Sequence, residues 1–304
     1  MMSHWMSWAH ALFAFLLAPL LLGIVQRTKA VIAGRRGAPL AQPYRDLAKL
    51  VRKGAVYSTT STWLFRAGPI VSLAAGIGAV LLLPMGGAPG VGSFVGDFIL
   101  IAYWFGLARF MVVLAAVDTG SSFEGMGASR EVLFSALAEP ALLIGLATVG
   151  RRAGSFTLSG MYGAITPDLW SHAGPELALV AVSLGVVLLS ENARIPFDDP
   201  TTHLELTMIH EVMVLDHGGP DLAAVFYGSA LKLWAFSALV VGVLPVRTGL
   251  PWLDGLAFLG AMFALAVVIG LVESSMARLR LVRVPQLLIG AAGLSALAFI
   301  LTAR

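Results

Sequence analysis

Residues 221–244 read DLAAVFYGSALKLWAFSALVVGVL, an apolar run whose one cation, Lys232, falls at about its midpoint. An α-helix rises about 1.5 Å per residue, so roughly 20 such residues cross the hydrocarbon core of a bilayer. Seven more runs of comparable character lie at 6–26, 67–84, 97–117, 131–149, 176–192, 253–276 and 284–303. Between them stand chain breakers such as Pro84-Met85-Gly86-Gly87-Ala88-Pro89-Gly90 and Gly218-Gly219-Pro220. The expectation is an all-α integral membrane protein of eight transmembrane helices. It forms a single polytopic domain over 1–304, with cytoplasmic loops at about 27–66 and 193–220.

Composition points the same way. Of 304 residues, 58% are hydrophobic and only 12% charged, and the mean hydropathy is +0.86, outside the range of a soluble domain. The basic residues sit in short connectors rather than along one soluble face, which argues against nucleic-acid binding. Cysteine is absent, so this chain has no disulfide, no thiolate-held iron–sulfur cluster and no c-type haem attachment. Met1 to His10 carry no Lys or Arg, so the first run reads as a retained anchor rather than a cleaved signal. No internal repeat is visible, which weakens a transporter built from two related halves.

Lys and Arg are unevenly shared between the two sides. The connector after the first run holds Arg27, Lys29, Arg35, Arg36, Arg45, Lys49, Arg52, Lys53 and Arg66, and later connectors on that side add Arg130, Arg194, Arg278, Arg280 and Arg283. The opposite side holds Arg151, Arg152, Arg247 and Arg304, while Arg109 and Lys232 fall inside spans. The bias places the first connector in the cytoplasm and both termini on the non-cytoplasmic side. Within that connector, Pro43 suits a first helical turn. Tyr44, Leu47, Ala48 and Val51 share one helical face, and Arg45, Lys49 and Arg52 another. This is expected to be an amphipathic helix in the interface, its basic side toward headgroups or a docked protein.

Ionisable groups at membrane depth are costly, about 2.5–3.5 kcal/mol each on insertion scales, and mark function by default. Lys232 and Glu139 are both near the centre of a run, so each is expected to face the protein interior, in a static ion pair or titrating to neutrality. Pro140 removes a backbone hydrogen bond beside Glu139. Glu191 and Arg194, three apart, are expected to face each other at a helix end. Asp199-Pro200 then reads as a helix start and Gly218-Gly219 as its stop. On that short helix Leu204, Met208, Val212 and Leu215 form an apolar stripe, and His203, Thr207, His210 and Glu211 a polar face. With Asp198 and Glu205 these groups suit proton transfer through water, since imidazoles and carboxylates can be tuned around neutrality. The bland alternative is a solvated amphipathic helix without chemistry. A zinc site is disfavoured, because His210-Glu211 lacks a second histidine four residues away.

At these residues the sequence resembles a family. Glu191-Asn-Ala-Arg194-Ile-Pro-Phe-Asp198 resembles the E-x-x-R-x-P-F/V-D signature of subunit 1 of respiratory complex I and of its relatives in group 4 [NiFe]-hydrogenases. Arg130 nine residues before Glu139 is similar to that family's fourth helix. The stretch from His203 to Asp216 resembles the hydrogenase branch, which includes formate hydrogenlyase subunit 4 and hydrogenase-4 component C. Gly34-Arg-Arg-Gly37 and Gln42-Pro-Tyr44 fit as well.

The resemblance implies a non-catalytic membrane subunit of an oxidoreductase complex, without a cofactor of its own. The [NiFe] centre and iron–sulfur clusters would then lie in the hydrogenase large and small subunits and the iron–sulfur subunits, docked on Arg35, Arg36, Gln42, Tyr44, Arg45 and Lys49. Glu139, Glu191, Arg194, Asp198 and Asp199 carry over as proton-coupling candidates toward antiporter-like membrane subunits. His203, Glu205, His210, Glu211 and Lys232 join them on the residue reading alone. The expected location is a bacterial or archaeal cytoplasmic (inner) membrane. Two other readings stay open: a quinone-site subunit of a complex I-like NADH dehydrogenase, and a stand-alone secondary transporter.

Overall fold

The computed structural model describes residues 2–198 and 208–303. It is all-helical, with α1 (Met2–Ile32), α2 (Gln42–Val51), α3 (Trp63–Leu82), α4 (Asp97–Asp118), α5 (Ser122–Ala153), α6 (Leu158–Gly163), α7 (Pro167–Glu191), α8 (Gly219–Val243), α9 (Pro251–Ser275) and α10 (Val284–Leu301). Single 3-10 turns lie at Glu211–Val214 and Leu281–Arg283. Eight of the helices are long and apolar enough to cross a membrane, as expected from the runs of sequence.

α8 is the central post. Of its most apolar window 72% is buried, against 22% for α4 and 28% for α10. It packs against α1, α2, α3, α7 and α9, and its Leu231, Trp234 and Ala235 are fully enclosed. Lipid-exposed apolar surface gives little drive to helix association, so close packing and polar bonds between helices carry more of it. Two such bonds join α10 to its neighbours: Ser183 Oγ donates to the Ala291 carbonyl (2.8 Å) and Ser295 Oγ to the Ala141 carbonyl (2.8 Å). In α1, Pro19 has no N–H to offer the Phe15 carbonyl, and Tyr227 of α8 donates its hydroxyl there instead (2.8 Å).

Several helices depart from the sequence expectation, each for a local reason. α5 runs from 122 rather than 131, because Glu124 ties its first turn to Thr119 and to the Asp216 amide; Arg130 and Glu131 are thereby helical. α5 also continues through Pro140. α7 begins at Pro167 and is kinked at Ala173, two residues before Pro175. The helix expected after Pro200 is, over its described part, only the turn Glu211–Val214, and Asp199 to Thr207 lie outside the described residues. Gly218 and Gly219 do not stop a helix but lead into α8, with Pro220 in its first turn. Gly219 has φ +53°, and a Cβ there would come within 2.7 Å of the Gly54 carbonyl oxygen.

α2 forms as expected, with Pro43 in its first turn, but its inward side differs. Tyr44 donates its hydroxyl to the Leu16 carbonyl of α1, and Pro43 and Leu47 line a cavity, while Ala48 and Val51 are exposed. That tether to α1 sets the rotation of α2.

The end of the bundle bearing most of the basic residues is built of connectors packed on one another. Segment 208–214 lies against α5 at Gly127, where a Cβ would stand 2.3 Å from Val212 Cγ1 and 2.8 Å from the Ile209 carbonyl oxygen. His217 lies on the Phe65 ring at 3.9 Å between centroids, its Nδ1 buried without a hydrogen-bond partner. Burial lowers the His217 pKa below its ordinary 6.5, against the raising effect of Asp221 and Asp216.

Two predictions come from this packing. Gly127→Val is expected to cost about 1–3 kcal/mol by overpacking, read as a lower Tm of the detergent-purified protein. His217 is neutral when folded, so its contribution is complete above pH 6.5 and lost as the pH falls below that value. The Tm advantage of the wild type over His217→Gln should therefore shrink between pH 7.5 and 5.5; a pH-independent difference would contradict a buried neutral imidazole.

Candidate functional site

Four of the long helices bring three acids together around two cations. Arg109 projects from α4, Glu131 and Glu139 from α5, Glu191 from the last turn of α7 and Lys232 from the middle of α8. The Arg109 Nη2 donates to both Glu191 oxygens (2.7 Å each) and its Nη1 to Glu139 Oε1 (2.8 Å). Its Nε lies 3.3 Å from Glu131 Oε1. Lys232 Nζ meets Glu191 Oε2 at 2.8 Å, and His210 Nδ1 is 3.3 Å from Glu131 Oε2. Three carboxylates thus share one guanidinium and one ammonium, a formal excess of one negative charge that a single proton neutralises.

The cluster has two kinds of surroundings. Glu191 and Glu131 are enclosed, with side chains 4% and 7% exposed, whereas the Glu139 side chain is 46% exposed on the flank of the bundle. Toward the connector-rich end it opens on a cavity of about 370 Å³, apolar at Pro19, Leu22, Leu47 and Phe226 and ionisable at Lys232 and Glu211. A second network closes that side. Glu273 at the end of α9 takes Lys29 (2.8 Å) and Arg194 (3.4 Å); Asp198 takes Arg278 (3.0 Å) and accepts from the Ile209 amide (2.8 Å). Leu279 N–H donates to the Pro196 carbonyl (2.9 Å), so the α9–α10 connector holds the segment that follows α7. Among the described residues no group of three or more His, Cys, Asp or Glu is arranged to hold a metal ion.

A family model described as NADH dehydrogenase matches residues 6–303. This chain belongs to the NADH dehydrogenase subunit 1 family. It is similar to formate hydrogenlyase subunit 4 of Escherichia coli (strain K12), 32% identical over 303 residues, with 95% of each chain covered. Hydrogenase-4 component C of the same organism is 32% identical over 237 residues, covering 77% of this chain and 73% of that one. Its fold is also that of a chain in the membrane-bound sulfane sulfur reductase, an archaeal respiratory membrane complex. The TM-score is 0.82 at 20% identity, with 97% of this chain and 98% of the other covered.

In this member of the subunit 1 family, Glu139, Glu191, His210 and Lys232 from the sequence reading do meet at one place. Arg194 does not pair with Glu191. α7 ends at Glu191, Ala193 takes a left-handed φ of +49°, and the chain turns Arg194 toward Glu273 instead. Glu139 is half-turned to the bundle exterior rather than wholly inward. Glu211 lines the cavity, and Asp199, His203 and Glu205 lie outside the described residues. Arg35, Arg36, Arg45 and Lys49 are exposed, Gln42 donates to Asp46 (2.8 Å), and Tyr44 is tied to α1. The sequence reading missed Arg109 and Glu131 as site residues. Arg109 had a signal, since a cation inside the run 97–117 carries the same cost as Lys232.

Removing the shared cation leaves buried acids uncompensated, which costs about 3–5 kcal/mol. Arg109→Met is therefore expected to lower the Tm sharply, and Arg109→Met with Glu191→Gln to recover part of the loss. Additive losses in that double-mutant cycle would show that the two side chains do not act as a pair.

Proposed function

We propose that this chain is the membrane-anchor and proton-coupling subunit of a group 4 [NiFe]-hydrogenase or formate hydrogenlyase-type complex. The observation that carries the reading is the Arg109–Glu191–Lys232 contact at the inner end of the cavity, with Glu139 on the same guanidinium at the bundle's flank. The 32% identity to a formate hydrogenlyase subunit over nearly the whole chain supports the hydrogenase branch. The connector-rich end faces the cytoplasm, both termini lie on the other side, and the exposed Arg35, Arg36, Arg45 and Lys49 receive the redox arm. With no cysteine here, iron–sulfur clusters and the [NiFe] centre belong to partner subunits, where they supply hydrogen formation or oxidation.

The coupling follows from shared charge. At an effective dielectric near 20, a unit charge about 4 Å away is worth about 4 kcal/mol. Protonating Glu191 therefore loosens its hold on Arg109, and the guanidinium strengthens its contacts with Glu131 and Glu139. A change started in the cavity is felt at Glu139 on the flank, where an antiporter-like membrane subunit would sit. A half-exposed carboxylate at bilayer depth favours a partner helix over lipid as its cover.

A quinone-site subunit is the second reading, favoured by one observation: the 370 Å³ cavity joins an apolar side at α1, α2 and α8 to an ionisable floor. Hydrogen evolution by the purified complex without added or bound quinone supports the hydrogenase reading; tightly bound quinone and block by quinone-site inhibitors supports the other.

Two variants test the roles within the complex. Glu191→Gln is expected to lower coupled turnover at least about tenfold while the subunits still co-purify; loss of assembly instead would make Glu191 structural. Replacing Arg35 and Arg36 by Glu is expected to release the soluble arm on membrane washing, and an arm retained at wild-type level would count against docking there.

A further inference from the structure

Beside the cluster lies a second, much smaller space that none of the contacts above explains. It is a small pocket of about 10 Å³ bounded by Glu131, Ser135, Ser190, Glu191, Asp198 and His210, among others. That is about the volume one water requires, and the lining supplies more than the two to four polar partners a buried water needs. Three of the acids around it have side chains no more than 7% exposed. The contacts next to it are loose: Glu131 stands 3.3 Å from both His210 Nδ1 and Arg109 Nε, and neither nitrogen completes a hydrogen bond although both are buried. Buried polar nitrogens of this kind ordinarily find a partner in protein or in ordered water. Glu131, Glu191 and His210 also line the 370 Å³ cavity, so these side chains are shared by the two spaces.

We propose that Glu131 and His210 hold one bound water between Glu191 and Asp198, and that His210 carries protons between that water and the large cavity. The step balances with protons alone. A proton leaving a carboxylate of the cluster passes to the water, whose own proton moves to His210 Nδ1. The imidazolium then releases its other ring proton from Nε2 into the large cavity, and return to the starting tautomer resets the site. Among the described residues the charged groups around His210 include Glu131 and Arg130 of α5, Glu191 of α7, Arg109 of α4, Lys232 of α8 through Glu191, Asp198 with its Arg278 partner, and the neighbouring Glu211. This inference rests on the coupling role proposed above.

The test uses the assembled complex in sealed vesicles, with a pH-sensitive dye reporting proton movement during turnover. His210→Gln keeps a polar side chain but cannot carry a proton. Ser135→Val fills the void with methyl groups and gives up only a bond from Ser135 Oγ to its own helix at the Val132 carbonyl. Both variants are expected to slow proton movement at least about tenfold in complexes that still co-purify. Only His210→Gln should also alter the pH dependence of proton movement. A density map of the complex should show one water within hydrogen-bonding distance of Glu131 and His210. A well-ordered site without that water, or wild-type proton movement in both variants, overturns the relay and leaves the coupling reading standing. A wild-type complex that turns over without moving protons overturns the coupling reading itself.

Discussion

The rest of the structure depends on one guanidinium, at a depth where water is scarce, holding three carboxylates drawn from two other helices. Arg109 is the group that makes Glu131, Glu139 and Glu191 tolerable there, and Lys232 supplies the second positive charge. Ion pairs of this kind are poor sources of stability compared with apolar packing, because removing charges from water costs as much as their attraction returns. A chain that is 58% hydrophobic and 12% charged has every means of filling that space with aliphatic side chains. Acids and bases there are not what packing alone would select.

Around the cluster the architecture separates what must be rigid from what must respond. α8 is enclosed on nearly all sides and presents Lys232 to Glu191 from a fixed post. The segment after α7, by contrast, is held by side chains and single backbone bonds: Arg278 on Asp198, Arg194 on Glu273, and the Leu279 amide on Pro196. These contacts come from the end of α9 and the α9–α10 connector, so the segment beside the site is fixed by elements distant in sequence. Networks with discrete alternative pairings are the physical means by which a local charge change reaches a remote surface.

Much of this was legible in the chain itself. The eight spans follow from apolar run length, and α2 from Pro43 and the alternation of faces behind it. Glu139, Glu191 and Lys232 were recognisable because a charge in an apolar run is expensive wherever it falls. The partners were not legible in the same way. Glu191 and Arg194 are spaced to pair on a helix, but the left-handed Ala193 ends that regularity and redirects Arg194 to a residue 79 positions away. Glu131 seemed to be the edge of a span, and only the Glu124 tether that extends α5 by a further two turns puts it inside. Spacing reports which residues share a face; it does not report which faces meet.

The hydroxyl that Tyr227 gives to the Phe15 carbonyl has a mechanical meaning. Pro19 breaks the internal bonding of α1 there, and the replacement partner belongs to the helix that carries Lys232. Sliding or twisting either rod against the other would strip that carbonyl of the Tyr227 hydroxyl in a medium that offers no substitute. The two therefore travel as a yoked pair.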